Sequence, residues 1–198
     1  MISHKYKCIF IHIQRTAGTH IERKIDDKDW WHDKALKKEK HLIASQAREL
    51  YKDYWDEYFK FSIVRNPWAR IVSCLKFPNH FGINQSTDGK INLADYIKKY
   101  NFPNTVEYDH RFHKATDIPV GIEGCGYQNI LNEKLDFVAT YENLKSDIEF
   151  IFNKIKLNKK FWFKEGGSQN YQKYFTEESR KEVEMIYHKD NQKYNYSF

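Results

Sequence analysis

Short apolar runs alternate along the chain with stretches in which apolar residues return every third or fourth position, a pattern that predicts strands each followed by a helix. Cys8-Ile9-Phe10-Ile11-His12-Ile13 reads as a buried strand, and Thr16-Ala17-Gly18-Thr19 breaks it into a loop before a helix from Thr19 to Ile25. Asp26 to Lys40 is charged, carries Trp30 and Trp31, and reads as a loop or short helix. A helix from Ser45, its expected N-cap, places Ala47, Leu50, Tyr51, Tyr54 and Trp55 on one face and ends near Phe59. Phe59 to Val64 is a second buried strand; Arg65-Asn66-Pro67 stops it, and Pro67 suits the first turn of a helix through Trp68, Ile71, Val72 and Leu75.

The second half is read the same way. Phe77 to Lys90 is loop-like, Leu93 to Tyr100 a short helix, and Asn101 to Gly126 gives no clear pattern. Leu135 to Tyr141 is a third strand, followed at once by a helix with Leu144, Ile148, Ile151, Phe152 and Ile155 on one face. Gly166-Gly167-Ser168 marks a loop, and Thr176 caps a last helix. Three strand-to-helix units in succession predict an α/β fold: a three-layer domain with a mostly parallel central sheet flanked by helices.

The 198 residues suit one domain, expected over 1–198. Hydrophobic residues at 40% can build a core, which excludes a disordered class. A net charge of +6 favours anionic ligands without choosing among nucleic acid, membrane and polyanionic sugar. Cys8, Cys74 and Cys125 are odd in number, far apart and without a C-x-x-C pair, so neither a disulfide framework nor a zinc knuckle is predicted and a reducing compartment fits. The first apolar run is too short for a signal peptide or membrane span, so the expectation is a soluble, cytoplasmic protein.

Two segments carry candidate chemistry. Gln14-Arg15-Thr16-Ala17-Gly18-Thr19 puts small residues where a backbone can approach a ligand, with a cation beside them and hydroxyls at a helix start. These are the parts of a phosphate or sulfate cradle, or of a plain strand-to-helix turn. The G-x-x-x-x-G-K-[ST] spacing of a magnesium NTPase is absent. In Arg65-Asn66-Pro67-Trp68-Ala69-Arg70-Ile71-Val72-Ser73, a fork-shaped donor at a strand end and a hydroxyl two helical turns later can converge on one phosphate, supported by Arg70. The alternative is an arginine satisfying a helix end or a carboxylate. His110-Arg111-Phe112-His113 lacks the carboxylate or thiolate support of a metal site, and no metal is expected.

Together the segments are recognisable. Phe10 to Thr19 resembles the 5'-phosphosulfate loop of carbohydrate sulfotransferases, the sulfotransferase family 2 type, usually written Pro-Lys-Thr-Gly-Gly-Thr or a near variant. Phe61 to Ser73 resembles the family's 3'-phosphate motif, and Asp136 to Leu144 its strand and Glu-Asn-Leu helix start. The resemblance implies a P-loop-like fold and transfer of a sulfuryl group from 3'-phosphoadenosine 5'-phosphosulfate (PAPS) to a hydroxyl-bearing acceptor, a saccharide, with release of 3'-phosphoadenosine 5'-phosphate (PAP). Carried over by position, it implies that Arg15, Thr16, Ala17, Gly18 and Thr19 hold the phosphosulfate, that Arg65 and Ser73 hold the 3'-phosphate, and that Ser168 and Asn170 contact the nucleotide from a closing loop. Gln14 stands where Pro is usual and Arg15 where Lys is usual. Arginine does not give up its proton, so Arg15 is expected to stabilise the leaving phosphate by charge alone.

An acceptor hydroxyl must lose a proton as it attacks sulfur, and histidine suits that task. Lys40-His41-Leu42-Ile43-Ala44 resembles a Lys-His-Leu-Thr-Ala segment that the family carries between its two phosphate motifs, which implies His41 as the base; Glu22, His20, His110 and His113 are alternatives, and His12 reads as a core residue. Acceptor contacts are expected from Trp30, Trp31 and the Phe77 to Lys114 region. No nucleic-acid partner is expected. A small-molecule kinase and a polyanion-binding module without chemistry are the rival readings.

Overall fold

The computed structural model describes residues 1–26, 41–75, 126–162 and 170–198. Its core is a four-stranded sheet in the order β1 (Ile2–Ser3), β2 (Cys8–Ile11), β3 (Phe59–Val64) and β4 (Phe137–Thr140). β2, β3 and β4 run parallel, with Phe10 beside Phe61 and Phe61 beside Phe137, while β1 joins the edge antiparallel through Ile2 and Ile9. The architecture is therefore α/β with a mostly parallel sheet, as the alternating pattern predicts.

Every residue of β2 is buried, because both faces of the sheet are covered. Cys8 and Phe10 point to a cluster with Phe61, Ile63 and Ala139. There they meet Ile21 and Ile25 of α1 (Gly18–Asp26) and Leu144, Ile148 and Ile151 of a helix at Leu144–Lys154. Ile9 and Ile11 point the other way, to Ala44 and Ala47 of α2 (Ala44–Leu50), Trp55 of α3 (Lys52–Trp55) and Tyr127 of a short helix at Tyr127–Ile130. Each fully buried Ile contributes about 1.5–3 kcal/mol relative to an exposed one.

The polar side chains that β3 turns to that second face, Lys60 and Ser62, have partners. Lys60 Nζ donates to the Trp55 and Tyr58 carbonyls at 3.0 and 2.9 Å and lies 3.0 Å from Asp136 Oδ2. The Ser62 hydroxyl donates to the Ile11 carbonyl at 2.7 Å. In order along the chain, α4 is Pro67–Leu75, α5 Tyr127–Ile130, α6 Leu144–Lys154, α7 Glu177–Ile186 and α8 His188–Tyr194.

Some boundaries differ from the sequence reading. Ser45 lies inside α2 and is not its cap: Ile43 holds that position, and its N–H donates to Gln46 Oε1 at 3.2 Å. Ser45 instead pairs with Asn132, which accepts its N–H at 2.9 Å and donates to its hydroxyl at 3.0 Å. The helix expected to run to Phe59 breaks at Tyr51 into α2 and α3. The last helix starts as expected, the Thr176 hydroxyl accepting from Ser179 N at 3.2 Å, but divides at Tyr187. The stretches read at Asp26 to Lys40, Phe77 to Lys90, Leu93 to Tyr100 and Gly166 to Ser168 lie essentially outside the described residues.

Two glycines are required by contact. α8 turns Asp190 inward, where its carboxylate accepts from Tyr127 N at 2.6 Å and Gln128 N at 3.3 Å and so serves the start of α5. Gly126, just before it, has φ 108°, and a Cβ there would lie 1.9 Å from Asp190 Oδ2. Burial pushes the Asp190 carboxyl up to about 6 against the pull of those two N–H groups. The second glycine, Gly18, belongs to the site.

Candidate active site

β2 ends at Ile11 and α1 begins at Gly18, so residues 12–17 form a loop beyond the carboxyl ends of the parallel strands, where open α/β sheets bind ligands. The loop closes on itself. The buried Thr16 hydroxyl donates to the Ile13 carbonyl at 2.7 Å, and the Ala17 carbonyl accepts from His20 N and Ile21 N at 2.9 and 3.2 Å, starting the helix. Arg15 and Ala17 both take left-handed backbone angles, φ 64° and 68°. Such angles cost a non-glycine residue about 1–2 kcal/mol each, and left-handed residues recurring along a short loop are a feature of anion nests.

Three arginines surround this loop. Arg70 Nε donates to the Gln14 carbonyl at 2.9 Å, and Arg65 Nη1 to the Arg15 carbonyl at 3.0 Å. In a trans peptide the N–H points opposite to the C=O, so drawing these two carbonyls toward α4 turns the N–H groups of Arg15 and Thr16 the other way. Arg15 Nε in turn donates to the Ser73 hydroxyl at 3.1 Å. β2 and β3 are neighbours in the sheet, and that adjacency brings Arg15 beside Arg65 and Ser73, with Thr16, Ala17 and Gly18 following along the same turn into α1. Thr19 follows in the first turn of α1.

Arg65 is 3% exposed, and its guanidinium carbon sits 3.9 Å from the centre of the Tyr141 ring. Arg70, 1% exposed, faces the Tyr127 ring at 5.3 Å, and the Tyr127 hydroxyl donates to the Arg65 carbonyl. The strand end is braced further by Glu142, which accepts from Asn66 N at 2.8 Å and from the Tyr196 hydroxyl at 3.1 Å. Asn66 Nδ2 donates to the Ser197 carbonyl at 2.8 Å. Burial raises the Tyr196 hydroxyl pKa far above its ordinary value, so it stays a donor to Glu142 at neutral pH. Tyr127 and Tyr196 are parts of the site that no motif in the sequence marks, whereas Tyr141 and Glu142 stand in the Asp136 to Leu144 segment, whose Glu-Asn-Leu helix start stands out without assigning Glu142 a role.

His41 is buried beside the loop. Its Nδ1 lies 3.0 Å from the His12 carbonyl, and the two imidazole centres are 4.5 Å apart. A carbonyl only accepts, so Nδ1 carries the hydrogen and Nε2 is the basic nitrogen of His41. His12 is itself buried, with Nδ1 2.7 Å from Glu22 Oε1. Glu22 is wholly buried in that pair. His20 lies on another side of α1: its Nε2 is 3.0 Å from the Trp162 carbonyl and its ring packs on Phe161. Burial lowers its pKa.

An open groove of about 1240 Å³ runs from Tyr141 and Leu144 along α6 to Phe161 and Trp162, lined on the way by Lys156 and Lys160. Ser168, His110, His113, Trp30, Trp31 and the Phe77 to Lys114 region lie outside the described residues. Asn170 is described, with left-handed φ 66° at the head of a 3-10 turn, Tyr171–Tyr174. Among the described residues no helix is long and apolar enough to cross a membrane.

Comparison with known proteins extends these observations. The profile of the family described as "Sulfotransferase family" matches residues 1–197. An uncharacterized protein of Archaeoglobus fulgidus is 26% identical over 106 residues, which are 54% of this chain and 74% of that protein. No solved structure matches the chain.

Proposed function

The chain belongs to the sulfotransferase family, and from that premise we propose that it transfers the sulfuryl group of PAPS to a hydroxyl of a saccharide acceptor. The observation that carries the reading is the meeting of two strand-to-helix turns: Arg65 and Arg70 hold the Arg15 and Gln14 carbonyls at 3.0 and 2.9 Å, leaving the N–H groups of Arg15 and Thr16 pointing away from those bonds in a loop that meets three guanidinium groups. That is a site for a ligand with two separate anionic ends. Gly18 supports the fit, because its lack of a Cβ is what lets the helix start lie close against the His12 ring.

PAPS supplies an activated sulfuryl group on a phosphate leaving group. In this reading the N–H groups of Arg15, Thr16, Ala17 and Gly18, with the Thr19 hydroxyl, hold the phosphosulfate at the head of α1, where the helix dipole favours negative charge. Arg65 and Ser73 hold the 3'-phosphate. Binding there requires the Arg15 side chain to exchange its bond with Ser73 for one to the ligand. Ser168 is assigned to the closing loop on family resemblance. The groove beside Tyr141 gives the nucleotide room.

His41 takes the acceptor proton at Nε2 while Arg15, which stays protonated, offsets the charge that develops on the leaving oxygen. The covered sheet faces fit a three-layer, P-loop-like arrangement, and residues 1–198 then form one sulfotransferase domain. Cys8 is a buried free thiol, in keeping with a reducing, cytoplasmic setting.

His41→Ala tests the chemistry. Turnover of labelled PAPS with a panel of saccharide acceptors should fall by about 10²–10⁴-fold, the usual worth of a general base, while PAP affinity stays within a few fold of the native value. Turnover retained by the folded variant would remove His41 from this role.

A further inference from the structure

We propose that Glu22 and His12 form a buried positioning pair that fixes the orientation of His41, and with it which of its nitrogens acts as the base; this rests on His41 being the base. Glu22 Oε1 and His12 Nδ1 are 2.7 Å apart, with side chains 0% and 4% exposed. A carboxylate accepts, so the hydrogen sits on His12 Nδ1 and the ring is held in one tautomer and one rotamer. The ring is then confined on its other sides. It stacks on Phe10 at 5.4 Å, and its Nε2 edge meets Gly18 so closely that a Cβ there would be 2.0 Å away.

Against this fixed ring rests His41, at 4.5 Å between centres and 56° between planes. The same residue's carbonyl lies 3.0 Å from His41 Nδ1. One residue therefore provides both the hydrogen-bond acceptor of the base and a wall for its imidazole. The bond between the two histidines runs from ring to backbone, so Glu22 and His12 place His41 and do not take its proton. This separates them from a carboxylate bonded directly to a catalytic imidazole.

Stability alone does not account for such a pair. Burying a carboxylate and an imidazole carries a desolvation cost that well-packed apolar side chains at the same positions avoid. What the pair adds is direction, because a hydrogen bond fixes an angle and an apolar contact does not. The three elements it joins are those of the site: the end of β2, the first turns of α1 and the segment that carries His41.

Long-range ¹H–¹⁵N correlation spectra of the ring-labelled full chain read the tautomer of neutral His41. In the native protein the Nδ1–H form should outweigh the Nε2–H form by about tenfold, the effect of one net hydrogen bond. In Glu22→Gln the ratio should fall to within about twofold of even, although the Gln side chain has the same shape. A folded Glu22→Gln protein with an unchanged ratio and only a lower melting temperature would overturn the proposal and leave the pair structural. If Glu22→Gln does not fold, Glu22→Asp keeps the charge but withdraws the carboxylate; an intermediate ratio supports the proposal and an unchanged one overturns it. Calorimetry with PAP on the native protein separates the two readings. Absence of PAP binding counts against the sulfotransferase mechanism, whereas the tautomer ratios decide the positioning pair.

Discussion

A single added carbon at Gly18 would fall 2.0 Å from His12 Nε2, well inside van der Waals contact. The imidazole cannot yield freely, because Glu22 holds it from the opposite edge and Phe10 covers its face. Gly18→Ala should therefore destabilise the protein by about 1–3 kcal/mol, as overpacking of a close-packed interior does, and weaken PAP binding because the helix start is displaced. Urea unfolding with a parallel PAP titration measures both. An unchanged midpoint would show that the His12 ring moves aside without cost. At this scale the sequence was informative about residue type and silent about contact: Gly18 and Thr19 stand out as small residues at a helix start, but nothing in the order of residues says that an imidazole lies under the glycine.

Between elements, Asp190 ties α8 to the first turn of α5. The folded protein holds its proton up to about 6, whereas the ordinary value is 3.8. Its contribution to stability is thus full at pH values below the ordinary one and is lost as pH rises through about 6, a swing of up to about 3 kcal/mol between those limits. Asp190→Asn removes the ionisation and should flatten this part of the profile, so that the difference in melting temperature between about pH 4 and about pH 7 shrinks relative to the native protein. An equal difference in both proteins would mean that Asp190 does not carry the effect. Element identity was largely legible for β2, β3, β4, α1, α4 and α6, because buried strands and one-sided helices leave strong periods in the sequence. The two-residue β1 is too short to leave any, and the breaks at Tyr51 and Tyr187 fall on apolar residues that continue the helical pattern across the gap. Ser45 has a related explanation: a good capping residue two positions beyond the true cap reads as the cap, whereas in the structure it engages Asn132.

At the scale of the molecule, the decisive event is the pairing of β2 with β3, which sets the Arg15 loop against the start of α4. Each motif could be read separately at the end of its strand. Their convergence spans 50 residues of chain between Arg15 and Arg65, and no local pattern encodes it. The bracing by Glu142, Tyr127 and Tyr196 depends on still longer separations, which is why no local pattern marks it, even at Glu142 inside the Glu-Asn-Leu helix start. The central claim is that this convergence is a two-ended phosphate site. Calorimetric titration with PAP, on the native protein and on Arg65→Ala, with ATP and magnesium as the comparison, tests it most directly. The native protein should bind PAP in preference to ATP, and Arg65→Ala should lose about 10–100-fold in affinity, the worth of charge-assisted hydrogen bonds. Equal affinity in both proteins, or no binding to a folded native chain, would contradict the account.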